Sequence, residues 1–442
     1  MTPIPLMASQ QIRKVRILPR SILIALGACY MIAWYSPAIA GTTFGIYDAR
    51  TLAMGGASVA SANNDNAQFY NAALLAFNEE IEEKTQDARF LFPLLIPRVS
   101  ESVITLEDLS QDDPIQAMTR AVSDFNVAPD VMAAQAVVDV AANLDGALAD
   151  LEGEDLAADI YFGLAVSEPG KFQGAGFFFG SRLLVGGDSD ITAADRAVLA
   201  AYEEGLTFIA SGGTQGTEHP ELFDANGLLI DPGDDFDSTV SAAGALVTEA
   251  GLAMSRQMHL LGRPIAAGFS FKVMRIDTFE DIQRIVDDRI DTDQNSEYHG
   301  NINFDLGLVK EIGERWRVAF AVKDIIPHNY ETSLGTAIRL RPRARIGAVY
   351  QGVRFQISAD ADLTENEPLG SERPTQEIAL GSEWSFESPL KFRAGYRQDV
   401  RGNRDGVVSL GVGTVSGRLA VDFALAGGRD AKAAALQFGY VF

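Results

Sequence analysis

A histidine beside a serine could carry hydrolytic chemistry, and histidines are few in this 442-residue sequence. The chain has four histidines, His219, His259, His299 and His328. Ser296 lies three residues from His299. No orienting acid or oxyanion motif accompanies this pair, and the histidines lack the spacing of metal ligands. We therefore expect no enzyme activity, no metal site and no cofactor.

The first forty residues predict a secretory signal peptide. Four basic residues between Arg13 and Arg20 precede the apolar run 21–35, and Ala38-Ile39-Ala40 is a typical cleavage site. A lipoprotein box ending at Cys29 is the alternative, although the apolar run continues past this cysteine. Cleavage after Ala40 would leave the mature chain without cysteine, which excludes disulfides and thiol chemistry.

The charge and the apolar segments exclude two further classes of protein. The chain has 36 Lys and Arg against 60 Asp and Glu, a formal charge of −24, so nucleic acid is not an expected partner. After residue 40, no segment approaches the length of about 18 apolar residues that a membrane helix needs. A chain of this kind that crosses a membrane must do so with strands.

The C-terminal segment Lys432–Phe442 is typical of such a strand. Its apolar side chains fall at every second position and end on an aromatic residue: Ala434, Leu436, Phe438, Tyr440 and Phe442. Lipid-facing and lumen-facing positions alternate in this way in outer-membrane barrels. The same alternation predicts about fourteen strands, near 87–100, 157–168, 172–185, 238–256, 262–278, 298–311, 315–323, 339–350, 352–362, 375–387, 389–399, 405–415, 417–427 and 432–442.

The connections between these strands alternate between short and long. Soluble antiparallel sheets give no reason for this alternation, whereas outer-membrane barrels have short periplasmic turns and longer outer loops. We therefore predict an all-β protein, a transmembrane antiparallel β-barrel of the cell outer membrane, with twelve or sixteen strands as alternatives to fourteen. Outer-membrane lipid and lipopolysaccharide would surround it.

The two longest loops are acidic, and the first contains helical patterns. Residues 101–156 hold thirteen acidic residues and Arg120, and residues 186–237 hold twelve and Arg196. These acidic residues either keep an exposed surface solvated or bind divalent cations that bridge lipopolysaccharide phosphates. Asp224 begins a fragment that lacks the remaining spacing of a calcium loop. Helical insertions, a lid or a packed cap, are predicted from the apolar stripes 115–125 and 132–151, the second through Met132, Ala136, Val140, Leu144, Leu148 and Leu151.

Residues 41–86 lie between the signal peptide (1–40) and the barrel (87–442), and they predict a plug. The segment is rich in small residues, and Gly55-Gly56 permits close backbone approach. The run 49–76, with L-A-M-G-G-A and then F-Y-N-A-A-L-L-A, resembles the N-terminal hatch of the FadL family of outer-membrane barrels. It is more similar still to the TraF-like proteins of conjugal transfer, as are residues 264–280 and 301–442. Asn71-Ala72-Ala73 falls on the FadL family's N-P-A motif, with Ala72 in place of proline.

The FadL resemblance implies diffusion of a hydrophobic compound across the outer membrane, with a hydrophobic small molecule as ligand. The TraF-like resemblance implies the alternative, a non-transporting envelope component associated with conjugal transfer. The alternation also predicts a charged lumen, in which basic groups attract a carboxylate or a charge network stabilises a closed barrel. The predicted lumen charges are Arg315, Arg317, Arg354, Asp360, Arg393, Arg418 and Asp422.

Overall fold

The structure is a computed structural model that describes residues 44–76, 89–100, 114–153, 155–233, 235–260, 263–286, 296–366, 373–386, 389–429 and 432–441. The predicted signal peptide, residues 1–40, and the terminal Phe442 lie outside the described residues.

Sixteen strands follow one another along the described chain, and fourteen of them close into one antiparallel barrel. The barrel strands are β1 (Arg89–Val99), β2 (Asp155–Glu168), β3 (Gln173–Asp190), β4 (Thr239–Leu260), β5 (Arg263–Arg284), β6 (Ser296–Ile312), β7 (Trp316–Lys323), β10 (Arg343–Gln351), β11 (Phe355–Asp362), β12 (Glu377–Ser385), β13 (Leu390–Asp399), β14 (Val407–Ser416), β15 (Leu419–Gly427) and β16 (Lys432–Val441). Successive barrel strands pair, and β1 pairs with β16 to close the ring. The prediction of a fourteen-stranded antiparallel barrel is confirmed.

A hairpin between β7 and β10 differs from the prediction. It consists of β8 (His328–Glu331) and β9 (Ala337–Leu340), which pair only with each other. We predicted one strand over 339–350, but β10 begins at Arg343. Pro342 separates β9 from β10, and a proline cannot donate a hydrogen bond to a strand ladder.

The strands of the barrel differ greatly in length. β4 and β5 each have 22 residues, whereas β7 and β11 each have eight. A tilted strand crosses a bilayer with about 9–11 residues. Because β4 and β5 are joined by a short turn, their surplus length extends from the opposite end, where the long loops lie. We call β2 to β6 the projecting wall.

Side chains alternate between the outer and inner faces of the barrel. The outer face carries exposed apolar residues such as Leu252, Val273, Leu306, Leu380, Leu410, Phe423 and Leu436. Near the short turns, Tyr350 packs against Trp316 and Phe355, with ring centroids 5.1 and 5.9 Å apart. An apolar band edged by aromatic rings is the surface that a bilayer requires of a barrel.

The N-terminal segment, residues 44–76, is buried within this ring of strands. It contains helix α1 (Ala49–Ala53), helix α2 (Ala67–Tyr70) and a 3-10 helix (Ala72–Ala76). Asp48 caps α1, because its carboxylate accepts a hydrogen bond from the Thr51 N–H at 2.9 Å. Small side chains let the segment fold tightly in a narrow lumen.

Two long loops build a helical cap over the projecting wall. α3 (Pro114–Val127) and α4 (Val131–Leu151) come from the first loop and α5 (Ala193–Ala210) from the second. They share an apolar core that includes Phe125, Leu144, Leu148, Leu199, Tyr202 and Leu206. The predicted helical insertions are therefore present, and they form a packed cap.

The predicted apolar stripe of α4 is partly wrong. Met132 is exposed, and the buried positions at this end of the helix are Ala134, Val137 and Ala141. Because α4 is apolar around much of its circumference, the sequence alone does not define its buried face. By length and composition α4 could also cross a membrane, but here its buried face packs in the cap core.

Candidate functional site

Two glycines allow the N-terminal segment to touch the barrel wall. Gly55 and Gly56 have positive φ angles of +67° and +96°, which favour glycine. A Cβ atom built on Gly395 of β13 would overlap the backbone of Met54 and Gly55. The segment therefore lies backbone to backbone against β13, and glycine is required on both sides of this contact.

Polar side chains from strands around the ring hold the N-terminal segment. Arg50 forms an ion pair with Glu383 at 3.0 Å, and the Asp360 carboxylate accepts hydrogen bonds from the N–H groups of Ser58 and Val59 at 2.7 and 2.9 Å. The amide oxygen of Gln437 accepts a hydrogen bond from the Ala49 N–H at 2.9 Å. These contacts involve β11, β12 and β16, so the segment is fixed to distant parts of the wall.

Asn71 links the two halves of the segment. Its side-chain N–H₂ donates to the Val59 carbonyl at 3.1 Å, and its oxygen accepts from the Ala73 N–H at 3.1 Å. Ala72 begins the 3-10 helix, at the position where the FadL family's motif has proline. The five predicted hatch residues, Gly55, Gly56, Asn71, Ala72 and Ala73, thus lie at the turns and contacts that shape the segment.

Four of the seven predicted lumen charges face inward. Arg393 pairs with Glu383 at 2.6 Å and also with Asp422. Arg317 pairs with Glu311 at 3.0 Å, and Asp360 binds the N-terminal segment. Each of these positions belongs to a regular strand, where the two-residue period applies.

The other three predicted lumen charges lie in turns and not in regular strands. Arg315, Arg354 and Arg418 are exposed and lie in the short turns that precede β7, β11 and β15. The Arg315 guanidinium donates to the Tyr350 hydroxyl, at 3.1 Å, in the aromatic group near the short turns. The alternation applies within a strand and does not determine the direction of a side chain in a turn.

Lys272, Glu249 and Asp324, which sequence reasoning did not single out, belong to a buried charge cluster on the projecting wall. The Lys272 ammonium on β5 lies 2.6 Å from Asp324, 3.0 Å from Asp305 and 3.4 Å from Glu249. Arg343 also pairs with Asp324. The sequence does contain a signal. Every second residue of β5 from Ser270 to Ile276 lies on its buried face, and Lys272 is the charged residue among them.

A cavity of about 40 Å³ lies between the N-terminal segment and the β8–β9 hairpin. Tyr47, Tyr161, Arg182, Glu249, Asp324, Arg339 and Arg343 contribute polar groups to its lining. Its apolar lining comes from β3, β4, β5 and the hairpin: Leu184, Ala245, Val247, Met274, Ile276, Ile338 and Leu340. A water needs about 10–15 Å³, while a cavity of about 150 Å³ binds benzene. A ligand of that size therefore requires the hairpin to move.

Polar contacts attach the hairpin that covers this cavity to the barrel wall. Glu280 of β5 accepts hydrogen bonds from the hydroxyls of Thr332 and Thr336, the latter at 2.7 Å. The Tyr330 hydroxyl accepts a hydrogen bond from Asn301 at 2.6 Å. These hydrogen bonds attach the hairpin to β5 and β6.

The cations around the cavity are paired within the protein. Arg182 binds the Asp159 carboxylate with two hydrogen bonds, at 2.8 and 2.7 Å. Arg343 pairs with Asp324, and Lys323 donates to the Phe69 carbonyl at 2.9 Å. A ligand carboxylate would have to displace one of these partners, so the geometry favours a charge network that holds the barrel together.

The closing pair of strands has an incomplete ladder. β1 pairs with β16 up to Leu91 and again from Arg98, with a shift of register between them. Residues 92–97 of β1 have no partner position on β16 in the described ladder. Pro93 and Pro97 lie in this stretch and have no N–H to donate. The barrel wall is therefore least continuous at this seam.

The histidine and serine pattern does not form a catalytic site. Ser296 and His299 are three residues apart on β6, so they point to opposite faces of the strand. In the part of the chain that the structure describes, no group of three His, Cys, Asp or Glu residues could hold a metal ion. The Asp224 carboxylate accepts hydrogen bonds from the backbone N–H groups of Asn226 and Leu228, both at 2.8 Å, and so stabilises a turn.

His219 is expected to make the cap sensitive to pH. Hydrogen bonds to Glu221 and Glu204, at 2.8 and 3.1 Å, raise the pKa of His219 above its usual value. A raised pKa means that the contact stabilises the loop at low pH and is lost as the pH rises through the folded-state value. Hydrogen exchange in residues 214–222 should therefore accelerate from about pH 6 to pH 9. In His219→Gln this region should show only the intrinsic pH dependence of exchange. If the variant and the unchanged protein have the same pH profile, the His219 contacts do not make the loop sensitive to pH.

The closed antiparallel barrel, its apolar outer band and its alternating connections define an outer-membrane β-barrel. A family model described as F plasmid transfer operon, TraF, protein matches residues 68–362. The chain belongs to this family, which confirms the resemblance predicted from the sequence. No curated protein matches the chain.

Two solved structures are similar to this chain at low sequence identity. The toluene transporter TodX of Pseudomonas putida is 12% identical over 91% of this chain and 97% of its own, with a TM-score of 0.43. A FadL homologue of Pseudomonas aeruginosa is 11% identical over 91% of this chain and 98% of its own, with a TM-score of 0.42.

Proposed function

We propose that this barrel lies in the outer membrane and lets a small hydrophobic compound cross it. The observation that carries the proposal is the apolar cavity enclosed by the projecting wall and the β8–β9 hairpin. An apolar lining favours apolar ligands, because few hydrogen bonds to water are lost when such a ligand enters the cavity. The paired cations around it indicate an uncharged ligand.

The route we propose is lateral. In this class the long loops face the outside, so a compound would enter under the hairpin. The described part of the predicted hatch, residues 44–76, is fixed to the wall and closes the way to the periplasm. The cavity residue Tyr161 of β2 is opposite Ile96 of β1, within the stretch of β1 that has no described partner on β16. A compound could leave through this seam into the bilayer.

Filling the cavity should stop passage. Ala245 is buried in the cavity wall, so Ala245→Leu places a larger side chain where the ligand would lie. Cells that make this variant should take up labelled toluene or hexadecane at the rate of cells without the protein. Ala250→Leu, which alters the outer face of the same strand, is the matched control. Equal uptake by both variants and by the unchanged protein would refute the cavity as the route.

Completing the closing ladder should also slow passage. Pro93→Ala with Pro97→Ala restores two N–H groups to the stretch of β1 that lacks partners on β16. We expect slower uptake of the same labelled hydrocarbons and a higher thermal midpoint for the purified barrel. If the variant barrel is more stable but takes up hydrocarbon as fast as the unchanged protein, the compound does not leave through this seam.

The alternative function is a non-transporting envelope component associated with conjugal transfer. The firm attachment of the N-terminal segment favours it, because the route to the periplasm is closed. Deletion of the protein would then lower the frequency of conjugation while hydrocarbon uptake stays unchanged. The reverse pair of results would support passage.

A further inference from the structure

The helical cap ends in an exposed apolar tip. The turn between α3 and α4 presents Val127 and Met132, which are 83% and 81% exposed, together with Val131. Leu228 and Ile230 of the second loop are also exposed. Large apolar side chains with this exposure are a cost in water, and a cluster of them marks an interaction site.

A specific contact joins the two loops at this tip. The Asn126 side chain donates to the Leu229 carbonyl and accepts from the Leu229 N–H, both at 2.8 Å. Val127 follows Asn126, and Leu228 and Ile230 flank Leu229, so their exposed side chains are brought to one region. The tip is thus built from both loops and is ordered before any partner binds, which reduces the entropy cost of binding.

Acidic residues surround the tip. Asp124, Asp130, Asp224 and Asp231 are exposed beside the apolar side chains. In residues 114–153 and 191–233 the only Lys or Arg residues are Arg120 and Arg196, and Arg196 is paired with Asp145 and Glu152. The apolar side chains therefore lie in a strongly negative field.

We propose that the tip binds a polypeptide that presents apolar side chains among lysines or arginines. Apolar contact would supply affinity, and opposite charge would select the partner and speed its encounter. A second copy of the chain would bring two acidic rims together. Lipopolysaccharide phosphates are repelled by the same rim. The proposal does not depend on hydrocarbon passage, because the tip is separate from the cavity.

The test uses the full-length protein in nanodiscs of uncharged lipid and a synthetic amphipathic helix of leucine and lysine. We expect saturable binding that salt weakens, and about tenfold weaker binding, or about 1.4 kcal/mol, for Val127→Ser with Met132→Ser. Both positions are exposed, so the double variant should fold. Val198→Ser, an exposed position on α5, is the matched control and should bind normally.

Several results would overturn the proposal. These are no binding above that of empty nanodiscs, equal binding to the double variant, and equal binding of the same helix with glutamate in place of lysine. Tip-dependent dimers in light scattering would instead identify a second copy as the partner. Tip-dependent binding to lipid vesicles would identify a membrane surface.

Discussion

Replacing Gly395 by alanine should displace the N-terminal segment from the barrel wall. The added Cβ would overlap the backbone of Met54 and Gly55, which cannot move aside as a side chain can. Overpacking typically costs about 1–3 kcal/mol, and we expect the upper end here because the obstacle is backbone. The variant barrel should conduct ions in planar bilayers, and its cells should become sensitive to bulky antibiotics.

The matched control is Gly427→Ala on β15. No atom lies within 4 Å of the Cβ that this change adds, and neither glycine has a positive φ. The control barrel should stay closed and keep its stability. If Gly395→Ala folds and remains as closed as the control, the segment is not held by backbone contact at β13.

Removing the Glu383 carboxylate should cause a large loss of stability. Glu383 pairs with both Arg50 and Arg393, and all three side chains are nearly buried. Breaking a buried ion pair costs about 3–5 kcal/mol because a cation is left without a partner. Glu383→Ala should therefore lower the thermal midpoint and expose the N-terminal segment to protease. Arg393 retains Asp422, so most of the damage should fall on Arg50.

Glu311→Ala is the comparison for this change. Glu311 and its partner Arg317 are 27% and 13% exposed, so water screens their pairing. We expect less than about 1 kcal/mol of destabilisation and no protease cleavage in the segment. If the two variants lose equal stability, the Arg50 anchor contributes no more than a partly exposed pair.

The sequence predicted the barrel well because a strand's two faces meet different solvents. Lipid outside and a charged lumen inside impose alternation on every strand, as in β7, where Trp316 faces outward and Arg317 inward. The alternation no longer applies where a strand ends, so it does not determine the direction of Arg315, Arg354 and Arg418, which lie in turns. The alternation also does not predict which inward-facing charges form ion pairs with each other.

The candidate site was less predictable. Its cavity depends on the β8–β9 hairpin, which packs on β5 far away in sequence, and four-residue strands have too little pattern to be recognised. The seam depends on the register between β1 and β16, the first and last barrel strands. Pro93 and Pro97 were visible in the sequence, but only the register shows that they lie where the barrel closes.

The hydrogen bond between Ala49 and Gln437 has a consequence for how the protein is assembled. It joins residues separated by 388 positions, across the whole barrel sequence. Contacts of such long range form late and slowly. Because the N-terminal segment lies inside the ring, it must be in place before β1 meets β16. We therefore expect the N-terminal segment to make its last contacts with the wall only when β16 is added. A variant in which β16 is added slowly should accumulate an open intermediate that proteases can cleave.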